Sequence, residues 1–372
     1  MKGNPALVQI MRLFIIILCF SSLPQLYAQN YQLEKVFDGL NITWAMDFLD
    51  DHQLLLTQRD GRAAILDTKA KKITWLKGLP AVYAQGQGGL LDVKTGPNFS
   101  QNGWIYFTYA KPLQESSATV LARARLNGQQ LRSWQELLVT QSQTATHYHY
   151  GSRIAFDDQG HVFFSIGDRG VRETAQDLSN HAGSILRLNL DGSVPDDNPF
   201  MHAANTLPEI WSYGHRNPQG LAWDKQCQCL WAIEHGPRGG DELNLIVPGK
   251  NYGWPVISYG KEYWGPVDVG ESTHKKGMEQ PLKVYIPSIA PGSLMLYSAR
   301  LFPQWQGNLF AGALKLQHLN RLTLHEQKVV AEERLFSELK ERIRSLAQSP
   351  QGNIYFATDS GDIYRIAKTT GD

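Results

Sequence analysis

The sequence predicts an all-β protein, a six-bladed propeller of four-stranded antiparallel blades. Three observations carry this expectation. A strand–turn–strand phrase recurs six times, helical periodicity is almost absent, and aromatic residues and turn formers are abundant. The 372 residues include 33 Gly, 18 Pro and 39 aromatics, a composition suited to short strands joined by turns. With 42% hydrophobic and 19% charged residues, intrinsic disorder is excluded. A formal net charge of +1 gives no global reason to bind nucleic acid.

The chain opens on an export signal. Lys2 and Arg12 precede an apolar run, Leu13 to Phe20, that is too short to span a bilayer. A small residue, Ala28, favours cleavage before Gln29. Residues 1–28 are therefore expected to be a signal peptide, and 29–372 a single propeller domain in the periplasm or outside the cell. No later segment is long and apolar enough to span a membrane. Removal of the signal leaves Cys227 and Cys229 as the cysteines of the mature chain. Bridging residues i and i+2 of a strand strains the link. Two free or loosely paired thiols at a turn are expected.

The repeated phrase is an apolar strand, a turn with Asp, Asn, Pro or Gly, and a second apolar strand. The second strands begin near Leu54, Trp104, Val162, Leu230, Leu309 and Ile354, at intervals of 45 to 79 residues. A third strand, often carrying Arg, follows most of them, as in Arg62–Asp67, Leu121–Asn127, Ser184–Gly192 and Asp362–Lys368. Strand triplets at this period, without helices, are the mark of propeller blades. Glu332 to Glu341 is the one stretch expected to form a short helix. Closure requires the first strand to join the last blade, because an open edge invites association.

Ligand sites in propellers gather where loops of several blades meet, so polar, Gly-rich loops between apolar strands hold the candidate residues. Gln85–Gly89 (QGQGG) allows either a tight turn or close backbone approach to a flat ligand. His147 and His149, at i and i+2 in HYHYGSR, suit base catalysis or half of a metal site. Asp168, at a strand end, can orient an imidazole or merely cap a turn. Arg216 and Asn217, in GHRNPQG, offer fixed donors to an anionic or carbonyl-rich ligand. The run from Glu234 to Glu242 and that from Asn251 to Pro255 place carboxylates among constrained carbonyls, hard donors that suit calcium. Ser288, Lys315, Arg342 and Arg344 come late. Ile343 separates the two arginines, so both face one side of a strand and can clamp an acidic ligand.

Together the phrases GQGGLLD, HYGSRI, IGDRG, LRLNLDGSVPDDNPF, GHRNPQGLAW, HGPRGGDELNLI and GKNYGWP resemble those of the soluble quinoprotein sugar dehydrogenases. The nearer likeness is to the compact aldose sugar dehydrogenases, and it runs from about Leu33 to Ile366. That resemblance implies a six-bladed propeller that uses pyrroloquinoline quinone (PQQ) and Ca2+ to oxidise an aldose at C1 to its lactone, with an external electron acceptor. It implies His149 as the base, with His147 its competitor, and Asp168 as the base's anchor. Arg216 would stabilise charge on the quinone. Gln87, Arg216, Asn217, Ser288, Lys315, Arg342 and Arg344 would contact the cofactor. Carbonyls of Gly236 and Pro237 would bind the calcium beside PQQ, while Glu242 and the Tyr252 carbonyl would hold a second, structural calcium. Two departures stand out: Tyr148 precedes the base where the glucose enzymes carry Asp, and their long insertions are missing. Substrate preference and dimer contacts are therefore not carried over, and both monomer and homodimer remain open. A propeller lactonase, a related metal hydrolase or a non-catalytic binding propeller are the alternative classes.

Overall fold

Strands make up nearly all the regular structure of the computed structural model, which describes residues 31–369. The expected signal peptide, residues 1–28, lies outside the described residues. The first strand, β1 (Tyr31–Phe37), precedes blade one, which holds β2 (Thr43–Phe48), β3 (Gln53–Gln58), β4 (Ala63–Asp67) and β5 (Lys72–Trp75). Blade two holds β6 (Leu90–Thr95), β7 (Trp104–Leu113), β8 (Ser116–Asn127) and β9 (Gln130–Val139). Blade three holds β10 (Ile154–Phe156), β11 (His161–Ile166), β12 (Ser184–Asn189) and β13 (Ile210–Tyr213). Blade four holds β14 (Pro218–Asp224), β15 (Cys229–Glu234), β16 (Asp241–Ile246) and β17 (Lys283–Tyr285). Blade five holds β18 (Pro291–Leu296), β19 (Leu309–Ala313), β20 (His318–His325) and β21 (Lys328–Leu335). Blade six holds β22 (Ile343–Gln348), β23 (Ile354–Thr358) and β24 (Ile363–Lys368), and β1 adds its fourth strand by antiparallel pairing with β24. The two chain ends thus close the ring, as the sequence requires.

The second strands read as continuous apolar runs because neighbouring blades cover both of their faces. Leu54, Leu55 and Leu56 of β3 are fully buried, as is every residue of β19 and β23. The inner strands β2, β6, β10, β14, β18 and β22 form the ring round the axis, each beside the next. Crowding there leaves no room for some side chains: a Cβ on Gly220 of β14 would lie 2.4 Å from Leu294 Cβ of β18.

Two expectations are corrected. Glu332 to Glu341 is not a helix: its start completes β21, and only a 3-10 turn, Ser337–Leu339, follows. The outermost strand of a blade is mostly solvated, so β21 is charged and lacks the apolar alternation that marks a strand. Cys227 and Cys229 are not free thiols but a disulfide. Gln228, at φ 51°, turns the chain between them and brings their Cα atoms to 5.3 Å.

Antiparallel pairing sets the N-terminal end of each inner strand beside the C-terminal end of its second strand, as Pro218 lies opposite Glu234. Loops entering the inner strands and loops leaving the second strands therefore share one face. Gln87, His149, Asn217 and Arg342 precede inner strands, while Asp168, His235 and Asp359 follow second strands. All of them meet at one mouth of the ring.

Candidate active site

A cavity of about 230 Å3 at the mouth is lined by Gln87, Asn217, Arg342 and Arg344, together with Trp44, Arg59, Tyr150, Gly151, Gln219, His235, Ala290 and Leu314. Residues from all six blades contribute to this wall. Four of the cofactor residues expected from the sequence are among them.

His149 stands next to this cavity. Its backbone N–H donates to Gln87 Oε1 at 2.9 Å, and Gly151 N–H donates to Asn217 Oδ1 at 3.1 Å. His149 has φ 51°, a left-handed conformation that a non-glycine residue holds only when its surroundings enforce it. Arg169 supplies that enforcement. Its fully buried guanidinium lies 3.6 Å from the Tyr150 ring centroid and donates to the carbonyls of Tyr148 and Thr146. No alanine fits at Gly167, where a Cβ would meet the His149 carbonyl at 2.4 Å.

His149 Nδ1 and Asp168 Oδ1 are 2.6 Å apart. An ionised carboxylate can only accept, so Nδ1 carries the proton and Nε2 keeps its lone pair. Nε2 has no hydrogen-bond partner among the described residues. The Asp168 carboxylate is buried and fixed by two further donors, Trp254 Nε1 and Gly170 N–H, each at 2.8 Å. Burial acts to raise its pKa, but the His149 bond and charge outweigh this and hold it below the usual carboxylate range. For His149 the balance goes the other way. Burial pushes its pKa below the ordinary value, Asp168 opposes, and the Arg216 charge adds to the depression. The imidazole is accordingly neutral at pH 7 and able to accept a proton at Nε2. His147, the competitor, has Nδ1 bonded to the Tyr83 hydroxyl at 2.9 Å and no carboxylate partner. Neither histidine belongs to a cluster of three or more metal-ligating side chains among the described residues. Among the described residues the side chains with metal-ligand spacing are Asp224, Cys227 and Cys229, two of them joined in the disulfide.

Arg342 and Arg344 share one partner: both Nε atoms donate to Asp359, at 2.8 and 2.5 Å. Ile343 between them is buried, so the two arginines do face one way. Lys315 and Ser288 do not fall in the wall. Lys315 is exposed beside Leu314, which takes the wall position. The Ser288 hydroxyl instead accepts from Gly239 N–H at 3.1 Å, fastening the loop after β15.

A second, much smaller cavity of about 20 Å3 is lined by Gly236, Pro237, Glu242 and Tyr252, with Arg216, Glu234 and Trp254 beside them. The four expected metal residues all line this one chamber. Its size suits a single ion, and its donors are carbonyl and carboxylate oxygens. Burial raises the Glu242 carboxyl to about 8, and the neighbouring Glu234 adds repulsion. Asn244 donates from Nδ2 to both carboxylates, at 3.2 and 3.3 Å, while its buried Oδ1 lacks a partner. Two crowded carboxylates on one chamber wall are the environment that a divalent cation relieves. His235 lines both chambers, and beside it stands Arg216, which lines the smaller. The Arg216 backbone N–H donates to Glu234 Oε2 at 2.8 Å, and its guanidinium reaches the His235 carbonyl at 3.3 Å and lies 5.3 Å from the Trp254 ring.

The model of the "Glucose / Sorbosone dehydrogenase" family matches residues 40–365. The chain belongs to that family. The chain is similar to the aldose sugar dehydrogenase YliI of Escherichia coli, being 36% identical to it over 94% of this chain and 96% of the relative's length. The quinoprotein glucose dehydrogenase B of Acinetobacter calcoaceticus is 25% identical, over 90% of this chain and 86% of its own. The crystal structure of the E. coli soluble aldose sugar dehydrogenase superposes with a TM-score of 0.88 at 36% identity, covering 91% of this chain and all of that one. The PQQ-bound aldose sugar dehydrogenase of Streptomyces coelicolor shares the fold, with a TM-score of 0.75 at 24% identity over 91% of this chain and 98% of its own. The family is one of oxidoreductases.

Reading the sequence did not single out Trp44, Arg59, Tyr150 or Gln219 as wall residues, nor Trp254 as a partner of Asp168. Tyr150, Gln219 and Trp254 lie inside the loop phrases HYHYGSR, GHRNPQG and NYGWP, which carry the local signal for them. Trp44 and Arg59 lie in or next to plain strands and carry no local signal.

Proposed function

We propose that this protein oxidises an aldose at C1 to the lactone, with PQQ as resident oxidant, a calcium ion beside it and an external acceptor that removes the electrons. One observation carries the reading. His149, neutral and anchored by Asp168, borders a mouth cavity walled by three guanidiniums and three amides, and an ion-sized oxygen chamber lies beside it, lined by Arg216. The quinoprotein and PQQ-bound relatives support the choice of cofactor.

When bound, PQQ with its calcium supplies the hydride acceptor and the Lewis acid that the side chains lack. Arg342 and Arg344 would offer guanidiniums to the cofactor's carboxylates, and the Gln87 and Asn217 amides would hydrogen-bond to it. Lys315 contributes charge at the rim, and Ser288 acts through the loop it fastens. The carbonyls of Gly236, Pro237 and Tyr252 and the carboxylate of Glu242 are the calcium donors. His149 Nε2 takes the proton of the sugar's C1 hydroxyl, and Asp168 stabilises the imidazolium that results. The Arg216 guanidinium favours negative charge as it grows on the cofactor side of the site.

The apolar leader and the cleavage position support export, with residues 1–28 removed and the mature protein periplasmic or secreted. Among the described residues no helix is long and apolar enough to cross a membrane.

The test is reconstitution. Purified apoprotein is given PQQ and calcium, and dye reduction is followed with a panel of aldoses. Sugar-dependent reduction is expected. Lactone hydrolysis without PQQ would replace this reading with a hydrolase, and flat traces in both assays would leave a binding propeller.

A further inference from the structure

Arg153 opens β10 in blade three, and its side chain is 6% exposed. The guanidinium reaches every other blade. Nε donates to the Gln219 carbonyl of β14 at 2.9 Å, and Nη1 to Asp92 Oδ1 of β6 at 3.3 Å. Nη2 faces three carbonyls: Trp44 of β2 and Arg344 of β22, each at 3.3 Å, and Gly292 of β18. Two Nη2 protons serve these three acceptors, so one is shared. The guanidinium carbon also lies 3.8 Å from the centroid of the Trp44 ring. Burial lowers the Arg153 pKa to about 10, which leaves it charged at neutral pH. Asp92, equally buried, receives Ile154 N–H at 2.7 Å and Val93 N–H at 3.0 Å.

Arg153 lines one of two cavities, and its partners line the other. The mouth cavity has three of these partners, Trp44, Gln219 and Arg344, in its wall. The second is a cavity of about 20 Å3 that Arg153 and Asp92 themselves line. Only a planar group with five diverging donors can serve six strands converging on one point; a lysine has three donors on a single atom.

We propose that Arg153 is the axial tie of the propeller and the positioning residue of the cofactor cradle: one guanidinium fixes the mouth ends of all six inner strands and, through the carbonyls of Trp44, Gln219 and Arg344, holds the wall of the cavity in which Gln87, Asn217, Arg342 and Arg344 stand. The second half of this statement rests on the PQQ reading above, whereas the first half does not.

Two measurements on Arg153→Met and Arg153→Lys test it, each made well below the thermal midpoint of the variant. Hydrogen exchange of the apoprotein tests the tie. The amides around Trp44, Asp92, Ile154, Gly220, Gly292 and Arg344 are expected to exchange faster together in Arg153→Met. Faster exchange confined to blade three, or none, overturns the tie. Titration of apoprotein with PQQ and calcium, followed by absorbance, tests the cradle. Affinity is expected to fall at least tenfold in Arg153→Met and less in Arg153→Lys, which keeps the charge. An unchanged affinity alongside faster exchange in all six blades overturns the positioning role. If the unsubstituted apoprotein itself takes up no PQQ, the cofactor reading and the cradle fall together, while the exchange result still decides the tie. Should Arg153→Met not fold, Arg153→Lys is read by the same two measurements and the same criteria.

Discussion

Replacing Asp168 with Asn tests the catalytic pair most directly. The amide keeps the shape but removes the charge that stabilises a protonated His149, and it can present N–H where a carboxylate oxygen accepted from Nδ1. With 2.6 Å between Nδ1 and Oδ1, the imidazolium and carboxylate charge centres sit about 4 Å apart, worth about 4 kcal/mol at an effective dielectric of 20. Asp168 is buried and His149 is 14% exposed, so solvent screening removes only part of this. At about 1.4 kcal/mol per decade, the expected loss in turnover is roughly 100- to 1,000-fold. The pH profile gives a second readout. Asp168 holds the His149 pKa up against burial and the Arg216 charge, so its neutralisation moves the acid limb of the profile to lower pH. In the unsubstituted enzyme that limb already lies below the ordinary histidine value, because activity is lost only as pH falls through the depressed pKa. The assay is dye-linked aldose oxidation by reconstituted enzyme across pH, with thermal unfolding as a folding control. Turnover within a few-fold of the unsubstituted enzyme, together with an unmoved acid limb, would refute the reasoning.

Four further outcomes are expected. His149→Ala lowers turnover at least ~100-fold, the low end of general-base effects, while apoprotein titration shows PQQ binding retained; normal turnover would remove His149 from its role. Arg342→Ala and Arg344→Ala each weaken PQQ binding by about tenfold or more, since a hydrogen bond to a charged group is worth ~1.5–3 kcal/mol; equal affinity in both variants would take the arginines out of the cradle. Exhaustive chelation lowers the thermal midpoint and abolishes activity, and calcium with PQQ restores both; full activity after verified metal loss counts against the ion. Deletion of β1 exposes the edge of β24 and removes the Glu34–Arg365 ion pair, so unfolding is expected at lower temperature; an unchanged midpoint would mean that ring closure adds nothing to stability.

Much of this protein was legible in its sequence, and the reason is local. A blade's second strand is buried on both faces, so Leu54–Leu56, Phe163–Ile166 and Tyr355–Thr358 must be apolar or small wherever they fall, and turn residues must flank them. The six blades and their closure follow from that pattern. Residues held by unusual loops, such as His149, Asp168, Asn217 and the pair Arg342 and Arg344, were also visible, because donor-dense Gly and Pro phrases mark loops that do more than turn. Outer strands were not visible: β21 is solvated, so charge replaces alternation and the stretch reads as a helix. Pairing of Cys227 with Cys229 depended on the left-handed turn at Gln228. Tertiary structure also decided which elements meet. Nothing local says that Trp254 anchors Asp168 across 86 residues, that Glu234 and Glu242 crowd one chamber, or that Ser288 and Lys315 miss the wall. Composition and periodicity register what each strand touches on average, whereas the identity of a partner on another blade is set only when the ring closes and brings six separate strand ends to one axis.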